Sequence, residues 1–75
     1  LSMNTFDKIR VGQVWKIESV GFPAACIRYY LVYGKCDKMI YGYVLLSDFP
    51  NLDHESWSKS EVMRGSNDYK WKRIS

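Results

Sequence analysis

The most regular hydrophobic pattern of the chain lies in its middle, where two strand-like runs follow each other. Residues 25–33 read ACIRYYLVY, and residues 39–46 read MIYGYVLL. In a half-buried antiparallel strand the side chains alternate between a core face and a polar face. Here both alternating sets of each run are rich in apolar and tyrosine side chains. We therefore predict two strands with one face in the core and a second face that something else covers.

Turn and strand signals on either side predict the rest of the sheet. The five residues between the two runs, GKCDK, have hairpin length, so the two strands should pair antiparallel. We expect a first strand over residues 11–20, with Gly12 easing its entry, and a closing strand over residues 69–74. Residues 3–10 predict an extended or single-turn lead-in, and residues 21–23 (GFP) predict a loop.

The segment between the hairpin and the closing strand carries a loop and a capping signal. Residues 47–56 are polar and acidic, which predicts an exposed loop. Ser58 is followed three residues later by Glu61, the pattern of a capping box. This pattern predicts a brief helical or 3₁₀ turn over residues 59–64, and a short strand over residues 56–60 is the competing interpretation.

Short strands dominate this pattern, and the fold class follows from them. Residues 65–68 (GSND) supply a glycine and a turn before the last strand. Four or five strands without an amphipathic helix of about ten residues favour a small all-β barrel over an α+β fold. A chain of 75 residues that is 47% hydrophobic fits one domain. Leu1 and Ser2 precede Met3 and are expected to be a cloning remnant, which leaves residues 3–75 as the domain.

The charge of the chain is compatible with more than one class of partner. The net charge of +3 permits nucleic-acid or acidic-protein partners without requiring either. Basic residues cluster at the end of the chain and acidic residues in the stretch before it: Lys70, Lys72, Arg73; Asp48, Asp53, Glu55, Glu61. No apolar run approaches the roughly 20 residues of a membrane span, and nothing resembles a signal peptide. We expect a cytoplasmic protein without a membrane partner.

The sequence gives little indication of a metal site, a cofactor site or redox chemistry. Cys26 and Cys36 lack the spacing of a redox or zinc motif, and His54 is the one histidine. No metal and no cofactor are therefore expected. The cysteines are interpreted as reduced, buried small hydrophobes, with a disulfide across the hairpin as the alternative.

Catalysis is also not predicted. Asp53, His54 and Glu55 are consecutive, and Ser56 and Ser58 lie close by. A serine–histidine–aspartate triad needs residues that the fold brings together around a buried carboxylate, which neighbours in one exposed loop rarely achieve. The chain contains no glycine-rich phosphate loop. The sequence therefore predicts a protein that is not an enzyme.

The two ends of the chain resemble a known group. Residues 9–16 (IRVGQVWK) and residues 69–74 (YKWKRI) resemble the first and last strands of small SH3-like barrel proteins encoded by phages and prophages. The serine-rich turn at residues 58–62 is similar to the segment that precedes the last strand in that group. The resemblance implies a five-stranded SH3-like barrel. It also implies a non-enzymatic module that binds and inhibits a host macromolecule, such as a defence or gene-expression component.

The tyrosine-rich central hairpin and the ten-residue acidic loop depart from that group, so specific function is expected in these two segments. A tyrosine-rich face rimmed by Arg28, Lys35 and Lys38 matches the composition of protein interfaces. A host protein and a second copy of the chain both remain open as the partner. If this face is exposed, Ile27, Leu31 and Val44 should lie in the core. The candidate partner-binding residues are Arg28, Tyr30, Tyr41, Tyr43, Lys35, Lys38 and Trp57.

Nucleic-acid binding is the alternative function. The hairpin interleaves cations with aromatic rings, and stacking of a base on an exposed ring contributes ~1–3 kcal/mol. Basic side chains would hold the phosphates. Of the remaining tryptophans, Trp15 or Trp71 is expected to be mainly structural, with Lys70 and Lys72 facing solvent on either side of Trp71.

Overall fold

Five strands and two short helices make up the computed structural model, which describes residues 4–19, 26–48, 52–64 and 69–75. The strands form one antiparallel sheet in the order β4-β3-β2-β1-β5. The prediction of an all-β, five-stranded fold with a helical turn before the last strand is confirmed. In chain order the elements are α1 (Thr5–Lys8), β1 (Val14–Ser19), β2 (Cys26–Lys35), β3 (Met39–Ser47), β4 (His54–Ser58), α2 (Lys59–Arg64) and β5 (Tyr69–Arg73).

Local hydrogen bonds explain where the first elements begin. Asn4 caps α1, because its side chain accepts a hydrogen bond from the Asp7 backbone N–H at 2.9 Å. The single-turn lead-in is thus confirmed. Gly12 has a φ of 94°, a conformation that glycine adopts without the steric cost of a β-carbon, and its N–H donates to the Val32 carbonyl at 2.8 Å. The predicted loop at residues 21–23 and turn at residues 65–68 lie outside the described residues, as do Leu1 and Ser2.

The capping box forms as predicted. The backbone N–H of Ser58 donates to the Glu61 carboxylate at 3.0 Å, and the Glu61 N–H donates to the Ser58 hydroxyl at 3.1 Å. The loop prediction for residues 47–56 is wrong from His54 onward, because Tyr43 of β3 pairs with His54 and extends the sheet. The strand and the helical turn were competing predictions for this segment, and both form: β4 ends at Ser58 and α2 begins at Lys59.

The sheet curls until aromatic side chains of its two edge strands come into contact. In a flat sheet β4 and β5 would be about 19 Å apart, four strand spacings. The ring centroids of Trp57 in β4 and Trp71 in β5 are only 5.2 Å apart, and Tyr69 lies 4.9 Å from Trp57. The core is enclosed between the curled sheet and the two helices. Its buried members are Phe6, Ile9, Trp15, Ile17, Tyr30, Val32, Ile40, Trp57 and Val62.

The inner face of β2 is the opposite of the predicted one. Tyr30 and Val32 are buried, whereas Ile27 and Leu31 keep intermediate exposure. Trp15 pairs with Tyr30, so the alternation in β1, where Trp15 and Ile17 are buried, fixes which side of β2 faces inward. The core prediction is therefore wrong for Ile27 and Leu31, and the expectation of a structural role for Trp15 or Trp71 is confirmed. Val44, the third predicted core residue, packs partly buried against the core.

Both cysteines are free. Cys26 has intermediate exposure and Cys36 is exposed. The prediction that the thiols are buried is wrong for both, because Cys26 keeps intermediate exposure and Cys36 lies exposed in the hairpin turn.

Candidate functional site

The outer face of the β2–β3 hairpin carries a cluster of aromatic and leucine side chains that faces solvent. Leu31 pairs with Tyr43, and Tyr29 pairs with Leu46, so these side chains share the face opposite Tyr30. Tyr43 is 52% exposed and Leu46 is 66% exposed. We call this cluster the tyrosine face; its members are Tyr29, Leu31, Tyr33, Tyr41, Tyr43 and Leu46.

The tyrosine rings of this face contact one another. The ring centroids of Tyr33 and Tyr43 are 4.6 Å apart, with an angle of 36° between the ring planes. Tyr33 also lies 6.4 Å from Tyr41. A register shift between Val32 and Gly34 leaves Tyr33 without an opposite residue on β3 and places it between the two β3 tyrosines. The contacts restrict the rings in the free protein, which lowers the entropy that a partner must remove on binding.

Tyr41 and Tyr43 are the predicted site residues that lie on this face. Of the remaining predicted residues, Arg28 does not reach it. Arg28 is only 8% exposed, and its Nη1 donates to both carboxylate oxygens of Glu55 at 2.9 and 2.8 Å. The prediction of an exposed Arg28 is wrong because β4 supplies a carboxylate on the inner side of the sheet. The pattern within β2 alone gives no sign of that partner.

Tyr30 is a core residue. It is fully buried, and its hydroxyl donates to the Glu55 carbonyl at 2.7 Å. Burial, aided by the nearby Glu55 carboxylate, raises the pKa of Tyr30 far above that of a free phenol. Its ring meets Trp71 edge to face at 6.1 Å. Tyr30 therefore fixes the inside of the hairpin, and the prediction that it contacts a partner is wrong.

Trp57 is likewise internal, with 5% of its surface exposed. Its ring contacts Tyr69 and Trp71 edge to face, and the Arg28 guanidinium lies 5.7 Å from its centroid. Trp57 joins the two edges of the sheet, so the prediction that it contacts a partner is wrong.

The two predicted lysines have different surroundings. The Lys35 ammonium donates to the carbonyls of Phe6 and Ile9, both at 2.8 Å, and lies 4.6 Å from the Phe6 ring centroid. Burial lowers the pKa of Lys35. Lys35 thus attaches α1 to the hairpin. Lys38 is exposed in the turn, and its carbonyl accepts a hydrogen bond from Lys59 at the start of α2.

The Asp53-His54-Glu55 segment does not assemble a triad. His54 is exposed on β4, whereas Glu55, the next residue, points inward to Arg28. Neighbouring side chains of a strand lie on opposite faces, so these two groups cannot act together on one substrate. Within the described ranges, no three histidine, cysteine, aspartate or glutamate side chains are grouped so that they could hold a metal ion.

The comparisons with known proteins found no matching family model, no matching curated protein and no matching solved structure. Across the part of the chain that the structure describes, neither helix is long and apolar enough to cross a membrane.

Sequence reasoning missed part of the tyrosine face. Four of its members are not among the candidate residues that the sequence predicts: Tyr29, Leu31, Tyr33 and Leu46. The three in β2 lie on the side of that strand that the sequence assigns to the core. The alternation of Trp15 and Ile17 with Lys16 and Glu18 in β1 carried the relevant signal. It becomes usable only once the pairing of Trp15 with Tyr30 is known.

Proposed function

We propose that this protein is a binding module that recognises a protein partner through the tyrosine face. The observation that carries the proposal is an exposed tyrosine and leucine cluster on a sheet whose other face already encloses a core. Contiguous exposed apolar surface of this kind marks interaction sites in soluble proteins.

The chemistry of the face supports a protein partner. Tyrosine is enriched at the residues that dominate binding energy, since it offers a large contact area with few rotatable bonds. Leu31 and Leu46 extend the apolar area on the same side of the hairpin. These leucines favour a protein surface over nucleic-acid bases, which stack mainly on flat aromatic rings.

The charge around the face favours a different protein over a second copy. The chain has a net charge of +3, and the same side of the sheet carries Lys16, Lys70 and Lys72 against Glu18. A second copy would bring like charge to like charge, which acts against association. The finer proposal, a phage-encoded inhibitor of a host defence or gene-expression component, is supported by the resemblance of residues 9–16 and 69–74 alone.

The experiment compares a variant of the face with a matched variant elsewhere. A partner is first identified by cross-linking and mass spectrometry, then purified and titrated against the immobilised protein. Tyr43→Ser combined with Leu46→Ser should weaken binding by at least about tenfold, since hot-spot truncations cost about 2 kcal/mol or more. Val11→Ser, which also changes an exposed apolar residue, should leave the affinity unchanged.

Two results would refute this function. The first is equal affinity of the wild type and the face variant for the purified partner. The second is a stable dimer in light scattering that only the face variant dissociates, because a second copy would then occupy the face.

A further inference from the structure

Three lysines lie together on the outer side of the sheet, beyond the tyrosine face. Lys16 of β1 is directly opposite Lys72 of β5, and Glu18 is opposite Lys70. Together with Trp71 they line a shallow depression of about 300 Å³. We call Lys16, Lys70 and Lys72 the lysine edge.

No contact among the described residues explains why the three lysines of the lysine edge lie together. Like charges directly opposite each other destabilise a sheet. Lysines on an edge strand prevent pairing with other chains, which accounts for Lys70 and Lys72 on β5. That reason does not extend to Lys16, because β1 lies between β2 and β5. Among the described residues, none of these lysines is in an ion pair, and Glu18 is the one carboxylate beside them.

We propose that the lysine edge binds the phosphate backbone of single-stranded nucleic acid, a function beyond the proposed protein binding. Lysines two residues apart on a strand are separated by roughly 7 Å, and those on paired strands by about 5 Å. The result is a row of positive charge that a flexible backbone can follow. Tyr29 is directly opposite Lys16 on β2 and on the same face, where its ring can take a stacked base.

Nucleic acid fits this row better than an acidic protein does. Lysine is depleted at protein interfaces, whereas it is a common ligand of phosphate. Each ammonium group of the lysine edge can bind a phosphate as a point charge. A single strand is favoured over a duplex because the Tyr29 ring beside the row can stack only on a base that is not already stacked and paired.

The test titrates a fluorescein-labelled oligothymidine and follows its anisotropy between about 50 and 200 mM salt. Three phosphate contacts predict a slope of log affinity against log salt of about −2, from −0.7 per contact on single strands. Lys16→Gln combined with Lys72→Gln should reduce the slope to about −0.7. Lys8→Gln combined with Lys38→Gln changes two exposed lysines elsewhere and should retain the wild-type slope.

Three outcomes would overturn the proposal. They are no binding at the lowest salt, an equal loss in the Lys8 and Lys38 variant, and equally effective competition by poly-glutamate and unlabelled oligothymidine. Thermal melting confirms that each variant is folded. Tyr43→Ser with Leu46→Ser should still bind the oligonucleotide, so this proposal and the protein-binding function fail independently.

Discussion

The ring of Tyr30 lies directly against the backbone of Gly42, on the neighbouring strand. A β-carbon at Gly42 would sit 2.4 Å from Cζ of Tyr30 and 2.6 Å from Cε1. Such a distance is far inside van der Waals contact, so the glycine leaves the space that the ring fills. The pair explains why β3 interrupts its tyrosines with a glycine. It also determines the direction in which the hairpin presents its outer side chains.

Gly42→Ala should destabilise the protein. The added methyl group forces the buried ring to move, and overpacking of this kind costs about 1–3 kcal/mol. Urea unfolding measures the change in the free energy of unfolding. Gly34→Ala is the matched control, because its nearest neighbour is the Tyr41 side chain at 3.4 Å, an ordinary contact. Equal unfolding midpoints for the Gly42 variant and the wild type would contradict the packing described here.

Breaking the ion pair between Arg28 and Glu55 should be costly. Both side chains are largely buried, with 10% and 17% of their surfaces exposed. Glu55→Gln removes the carboxylate charge that faces the guanidinium, and removal of one member of a buried pair costs about 3–5 kcal/mol. Chemical denaturation checks the change. Asp53→Asn, which changes an exposed carboxylate two residues earlier and just before β4, should change stability by less than about 0.5 kcal/mol. If the two variants are equally stable, the pair contributes little.

The capping box predicts a dependence on pH. Hydrogen bonds from Ser58 lower the pKa of Glu61 below its usual 4.5 in the folded protein. A carboxyl group with a lowered folded pKa contributes stability above its unfolded pKa and loses it as pH falls through the folded value. The stability difference between the wild type and Glu61→Gln should therefore be larger at pH 7 than at pH 3, as measured by urea unfolding. A difference that is the same at both pH values would exclude this contribution.

Lys35→Met should loosen α1 without unfolding the sheet. The substitution keeps the length of the side chain but removes the donors to the Phe6 and Ile9 carbonyls. The Ile9 carbonyl then loses the lysine donor, and the Phe6 carbonyl keeps only the hydrogen bond from the Ile9 N–H, which favours local opening of the segment. Hydrogen exchange should show faster exchange over residues 5–9 and unchanged protection in β2 and β3. Lys38→Met, at an exposed position, serves as the control, and unaltered exchange in the Lys35 variant would refute this role.

The positions of the helices and strands were more predictable from the sequence than the face of each strand that is buried. The hairpin, the closing strand and the capping box were predictable because each depends on residues close together in the chain. The face of β2 was not, because both of its alternating sets are apolar. Its inward side is decided by the pairing of Trp15 with Tyr30, two residues that lie far apart in the sequence.

The candidate site was predictable only in part for the same reason. Tyr41 and Tyr43 were assigned correctly to the outer surface, but Tyr33 enters the cluster through the register shift between Val32 and Gly34. Strict alternation cannot anticipate such a shift. Likewise, the exposed pair Leu45 and Leu46 follows from a second shift, opposite Tyr29 and Tyr30.

The pairing of β1 with β5 also determines how the molecule can form. Ile17 is the direct partner of Trp71, although most of the chain lies between them. Contacts of such long range require closure of a large loop before they stabilise anything, which slows folding. The contact of Trp57 with Trp71 also requires this loop closure, because Trp71 belongs to β5. A nascent chain on the ribosome therefore cannot complete its core until β5 has been synthesised, and the domain gains its stability in one late, cooperative step.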